Sequence, residues 1–267
     1  MSMSSTYDSL LAGERRRRRW LIAQLTVVIV LIGIACEFVG LLDASRLALG
    51  LPALFELMVN MLPPDFSDWR SWMMPLADTL AMSVAGTAVA VLASVPMAFL
   101  SARTTTPNLG VYYATRNVLN FLRTVPELIM GIIFVAAVGF GPLAGVLAVG
   151  LHSIGMVGKF FAETIEHADP APVEAVRATG ASRFQTIWHG VLPQVLPQFL
   201  DVSIYRWEYN FRASTVMGLV GAGGIGFELI GSLRILQYKE VFAILLLILA
   251  MVMIVDGIGS YLRRRLQ

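Results

Sequence analysis

Charge is scarce in this chain: 14% of its 267 residues are Asp, Glu, Lys or Arg, where a soluble globular domain carries about a quarter. That shortage excludes a molecule whose whole surface faces water. The single cysteine, Cys36, excludes an internal disulfide. Three histidines, His152, His167 and His189, show no metal-ligand spacing, and no acid, base and nucleophile set accompanies them. No catalytic residue and no metal site is therefore expected. A Gly-x-x-x-x-Gly-Lys-Ser/Thr loop is missing as well, so the chain has no cradle of its own for nucleotide phosphates. Internal repeats, low-complexity tracts and flexible linkers are also lacking.

What is present is apolar length. Hydrophobic residues make up 57% of the chain, gathered in runs near or above the roughly 18 residues that cross a hydrocarbon core. The pattern predicts an all-α integral membrane protein with six spans: Trp20 to Leu42, Pro75 to Leu100, Asn117 to Gly139, Pro142 to Phe161, Pro193 to Gly218 and Lys239 to Leu262. Residues 1–19 form a basic N-terminal segment, and 20–267 one transmembrane domain with an outer loop at 43–74 and an inner loop at 163–193. Arg15 to Arg19 precede the first span and Arg263 to Arg265 follow the last, so the positive-inside rule puts both termini in the cytoplasm. On that scheme thirteen Lys and Arg lie inside and four outside. In the outer loop, Pro63-Pro64-Asp65 stops any helix begun near Leu49, and Trp69 and Trp72 sit near the membrane interface. Small residues four apart, Ala81/Ala85, Gly86/Ala90 and Gly141/Gly145, predict close helix contacts.

Gly221-Ala222-Gly223-Gly224-Ile225-Gly226 satisfies Gly-x-Gly-x-x-Gly, but that fingerprint binds dinucleotides only between a strand and a helix. Here it follows a membrane span. Gly221, Gly223, Gly224 and Gly226 are instead expected to let the backbone bend and pack tightly at the outer end of the pathway, as a gate.

Between the fourth and fifth spans, Asp169-Pro170 and Pro172 break the chain, Val173 to Thr179 has helical composition, Gly180 ends that helix, and Ser182 caps a second one through Trp188. Two short helices joined at a glycine make a rigid inner knob, suited to dock in a groove of a soluble partner. Glu174-Ala175-Val176, Gly180 and Leu192-Pro193 resemble the Glu-Ala-Ala loop of ABC importer permeases, with Val176 in place of the second Ala and Gly190 where Ile is usual. In that family the loop touches the ATPase subunit, which implicates Glu174, Ala175, Gly180, Leu192 and Pro193 in coupling.

Ionisable groups inside a bilayer are costly and face a cavity or a partner. At 100° per residue, Asp201, Tyr205, Glu208 and Arg212 form one stripe of the fifth span, and Arg206 with Asn210 another. Glu208 and Arg212 stand four apart in the order that favours a helical ion pair, as do Arg123 and Glu127, with a kink at Pro126 between them. His152, Lys159 and Glu163 share a face of the fourth span. These charges either line a pathway for an anion or pair with one another to hold the bundle; spacing leaves both open.

Tyr205 to Val216, including Ser214 and Thr215, is similar to phosphonate permeases of the ABC class, as are Pro63 to Phe66, Val135 to Gly139, Arg177 to Ala181 and Gly190 to Val195. That resemblance implies an importer of a phosphonate, phosphite or phosphate. Its partners would be a second copy of this chain, two ABC ATPase subunits that bind ATP and Mg, an extracytoplasmic binding protein and the lipid bilayer. No cofactor in this chain and no nucleic-acid partner is expected. An ion-driven transporter of an anionic solute, built on the charged spans, and an ABC permease for another small polar solute are the competing readings.

Overall fold

A computed structural model describes residues 3–266, all of its regular elements being helices. They are α1 (Met3–Phe38), α2 (Ala44–Asn60), α3 (Met73–Ser101), α4 (Leu109–Thr124), α5 (Glu127–Val138), α6 (Pro142–Glu166), α7 (Pro170–Ala178), α8 (Arg183–Thr186), α9 (Leu192–Met217), α10 (Ile225–Arg234) and α11 (Tyr238–Leu266). The chain divides into two compact units, Met1–Asn60 and Met61–Gln267. In the first, the apolar side chains of α1 from Trp20 to Ile34 are exposed, and α2 buries none of its residues. The helix foreseen near Leu49 starts earlier, at Ala44, where the Asp43 carboxylate accepts from the Ser45 N–H at 3.0 Å.

The second unit is a bundle around α6. Glycines set its closest contact, because a Cβ at Gly86 of α3 would stand 3.3 Å from the Val149 side chain, and one at Gly150 of α6 would stand 3.3 Å from the Gly86 carbonyl oxygen. Close backbone approach of this kind supplies the packing that apolar surface alone cannot drive in lipid. Gly141 does not take part in the same way: it caps α6 with φ 129°. Below that contact, Phe161 and Phe199 stack at 3.9 Å within a core that includes Val157, Ile165 and Val195.

Among the described residues four helices are long and apolar enough to cross a membrane, Arg16–Phe38, Met73–Ser101, Pro142–Glu166 and Tyr238–Arg265, and two bent pairs bring the number to six if each is one span. The expected third span is one of these pairs, and it is not a kinked helix but two helices meeting at 89°. Pro126 causes the break. Its ring disfavours helical geometry at the preceding residue, and Val125 is extended at φ −75°, ψ 120°. The expected fifth span, Pro193 to Gly218, is carried by the continuous helix α9, and a bend of 44° follows it, between Val220 and Ile225.

Candidate functional site

The inner knob differs from its expected form at both ends. Asp169 accepts from the Ala171 N–H at 2.9 Å and caps a helix that begins at Pro170 rather than Val173. Pro170 and Pro172 do not break it, since both fall in a first turn whose N–H groups have no helical partner. Gly180 then turns the chain at φ +80°, a conformation that costs a residue with a Cβ about 1–2 kcal/mol. Ser182 and Gln185 form a reciprocal capping box. No second free-standing helix follows. A wide turn at Ile187–Val191 joins α8 directly to α9, with the Leu192 N–H donating to the Ile187 carbonyl five residues back. Pro193 gives the reason, for it has no N–H to donate and its ring crowds the carbonyl of the turn before it.

Two contacts tie α7 to the foot of α9. Gly190 lies against α7 so closely that a Cβ would come within 3.2 Å of the Val173 Cα. The Gln194 amide closes the angle, accepting from the Asp169 N–H at 3.0 Å and donating to the Asp169 and Gly190 carbonyls at 3.2 and 2.6 Å. Glycine where the family pattern has Ile is therefore what this packing needs. Glu174, Ala175, Gly180 and Pro193 are exposed, while Leu192 is half-buried. Glu174, Arg177, Arg183 and Arg103 line a cavity of about 550 Å³ beside the knob.

The second site is buried at mid-length of α3, α6 and α9. The Arg206 Nε donates to the Ser153 hydroxyl at 2.9 Å, Ser153 to the Asn210 Oδ1 at 2.9 Å, the Asn210 amide to the Thr87 hydroxyl at 2.8 Å, and Thr87 to the Ser83 carbonyl at 2.6 Å. Every donor in this chain of bonds points the same way, so its members polarise one another in a low-dielectric interior. Arg206 is 3% exposed and its guanidinium carbon lies 4.3 Å from the centre of the Tyr209 ring. The Tyr209 hydroxyl donates to Glu127 Oε1 at 3.4 Å, and the His152 Nδ1 stands 3.1 Å from the Val125 carbonyl. A sequence reading that groups Arg206 with Asn210 matches this arrangement. Thr87, Ser153 and Tyr209 escape it, because hydroxyl residues on apolar helices are too common to signal a network.

The ion pairs expected within single helices are not formed. Glu208 faces Arg263 of α11 at 2.7 Å, an ionic contact without hydrogen-bond alignment, and Arg212 donates to Asp256 of α11 at 2.8 Å. Gly259 makes room for this, as any side chain there would collide with the Glu208 carboxylate. Arg123 and Glu127 fall on opposite sides of the 89° break, which removes their helical spacing. Lys159 and Glu163 do approach, at 4.0 Å, apart from His152. The stripe of Asp201, Tyr205, Glu208 and Arg212 is split as well: Glu208 is buried and Tyr205 and Arg212 are exposed. Ser214 is fully buried, and Thr215 donates to the Arg212 carbonyl.

Gly221, Gly223 and Gly224 all adopt positive φ, between 75° and 90°, in the turn that follows the fifth span. Gly226 touches the Thr215 carbonyl so closely that no side chain fits, and a Cβ at Gly218 would clash with the backbone of Gly226 and Phe227. Rather than a loose outer connection, these glycines fasten α10 back onto the end of α9, with the Ile225 N–H held by the Thr79 hydroxyl of α3 at 2.9 Å.

Comparison with known proteins agrees with this architecture. A family model described as binding-protein-dependent transport system inner membrane component matches residues 94–267. The chain is 61% identical to the phosphite transport system permease protein PtxC of Stutzerimonas stutzeri, with 98% of this chain and 99% of that one covered. It is 40% identical to the putative phosphite transport system permease protein HtxC of the same organism, over 96% and 92%. To the phosphate-import permease protein PhnE of Mycolicibacterium smegmatis it is 45% identical, over 78% of this chain and 39% of that one. Its fold is similar to a chain of the inward-facing MetNI methionine ABC transporter, with a TM-score of 0.64 at 21% identity, covering 75% of this chain and 99% of the other. The family match includes the knob, α9 and the glycine turn, and the chain belongs to the inner membrane components of binding-protein-dependent transport systems.

Proposed function

We propose that this chain is the permease subunit of an ATP-driven importer for phosphite or a related phosphorus oxyanion, working by alternating access. The observation that carries the coupling half of this reading is the knob: Glu174 and Ala175 stand exposed on a short helix that Gly180, Gly190 and Gln194 hold at a fixed angle to α9. A docked ATPase that moves such a knob moves the span to which it is bonded, as in other rigid-element switches. Both termini and the knob lie on the cytoplasmic side in this proposal, and residues 20–267 act as one transmembrane domain. A second permease chain, taken as a copy of this one, completes the pathway, two ATPase subunits bind ATP and Mg, and an extracytoplasmic binding protein delivers the substrate. The 61% identity with a phosphite permease supports the substrate class.

Within the membrane, Arg206 is the residue whose charge fits an oxyanion, since the arginine fork matches phosphorus oxygens. Arg212 is less suited, being already engaged by Asp256. The glycine turn at 221–226 serves as the outer gate, where closely packed backbone has few intermediate positions between closed and open.

The decisive experiment reconstitutes this chain in liposomes with its ATPase and binding protein, then measures ATP hydrolysis with the binding protein loaded with phosphite, methylphosphonate or phosphate. Stimulation by one loaded form identifies the importer and its substrate. Uptake without any ATPase would favour an ion-driven transporter instead. Glu174→Ala is expected to separate hydrolysis from uptake while leaving the amount of protein in the membrane unchanged.

A further inference from the structure

Two buried polar atoms beside the directed chain of hydrogen bonds have no partner: Nη2 of Arg206 and Oε2 of Glu127. Both groups abut one side chain, Tyr209, whose ring carries the guanidinium and whose hydroxyl holds the other carboxylate oxygen. One is a donor and the other an acceptor, each left open where water is excluded. We propose that they are the two ends of one ligand site, and that the site takes a phosphorus oxyanion in its singly charged form, still carrying a P–OH.

The fit follows from hydrogen-bond chemistry. An unprotonated oxygen of the ligand accepts from Arg206 Nη2, while the P–OH donates to Glu127 Oε2. Both open valences are then satisfied, and the ligand keeps its proton throughout. A doubly charged oxyanion has only acceptors to offer, so it would set lone pairs and a second negative charge against the Glu127 carboxylate. Arginine and glutamate together are neutral, which leaves a monoanion as the smaller charge to carry through a low-dielectric site.

The other titratable or charged groups near the pair are His152 of α6 and Tyr205 and Tyr209 of α9. From α3 come the Thr87 hydroxyl and the Ser83 carbonyl, neither of them charged, and Arg123, on the last turn of α4, is exposed. The inference rests on Arg206 being a pathway residue, and its test must separate the two ideas.

The test is phosphite uptake by the complete reconstituted transporter at a series of pH values spanning the second ionisation of phosphite. Hydrolysis stimulated by the loaded binding protein, measured on the same samples, reports assembly. In Glu127→Gln the amide gives a dianion an N–H donor, so alkaline uptake relative to acid uptake is expected to rise roughly tenfold over the unaltered protein, a 1.4 kcal/mol change in preference. Glu127→Asp keeps the carboxylate and should keep the profile. An unchanged profile in Glu127→Gln, with Arg206→Lys losing uptake, overturns the singly charged ligand alone. Normal uptake in Arg206→Lys overturns the pathway reading and this inference with it. A profile that shifts in His152→Gln and not in Glu127→Gln assigns the titration to the histidine and also overturns it. A second measurement needs no variant: with the binding protein saturated by either, methylphosphonate should be taken up far faster than trifluoromethylphosphonate, which stays doubly charged to lower pH. Equal rates would refute the proposal.

Discussion

The inner knob and the mid-bundle polar chain are both built from polar residues, yet they solve opposite problems. The knob sets its polar groups at the surface and keeps its shape through backbone devices: a proline-opened first turn, a left-handed glycine, a capping box and the Gln194 amide. The polar chain from Arg206 to Ser83 has no such backbone device and is held by side-chain donors from three helices, the last of them bonded to the Ser83 carbonyl. Exposed polar groups can exchange with water, whereas buried ones depend wholly on each other. Damage to the first should therefore stay local, and damage to the second should spread.

Asn210→Leu should break that contrast most severely. It removes the centre of the buried chain and leaves the Ser153 hydroxyl without its acceptor, an orphan costing about 1–3 kcal/mol, while Thr87 loses the amide that donates to it. Uptake and thermal stability in detergent are expected to fall together. Next in size, Gly180→Ala imposes about 1–2 kcal/mol of backbone strain at φ +80°, which the knob can relieve by changing its angle. Coupling between hydrolysis and uptake should be lost while the melting temperature of the bundle holds; a large fall in melting temperature would show that the knob is not a local unit. Gln194→Ala leaves the capping intact and loosens only the joint between α7 and α9, so uptake per ATP should drop several-fold with the protein otherwise unchanged. The smallest effect is expected from Arg46→Gln. Its pair with Asp43, in the loop before α2, is 75% and 38% exposed on its two sides, and such pairs contribute about 0–1 kcal/mol, so uptake and stability should stay near those of the unaltered protein.

The fifth span shows where sequence reading stops. Helical periodicity correctly separates Arg206 and Asn210 from the Glu208 and Arg212 face, because 100° per residue is a property of the backbone. It also suggests an ion pair between Glu208 and Arg212, which the structure replaces with Arg263 and Asp256. A pair within one exposed helix is worth only about 0.2–0.5 kcal/mol, too little to compete with partners that a neighbouring helix presents. The third span teaches the same lesson through the backbone. Pro126 announces a disturbance, but a kink and an 89° turn differ only in what the helices on either side find to pack against, here Gly155 of α6, where a Cβ would come within 2.6 Å of the Arg123 backbone nitrogen.

By itself the sequence determined the membrane environment, the all-helical class, the glycine that ends α7 and the serine cap after it. Each of these depends on local chemistry: apolar length, absent N–H groups, positive φ, or a hydroxyl near free backbone donors. Tertiary structure alone decided which charges pair, and that Ser153, Asn210 and Thr87 join in one directed chain with an arginine that has a nitrogen left open. Those outcomes depend on residues 44 to 123 positions apart in the chain, and no local preference carries information across such a distance.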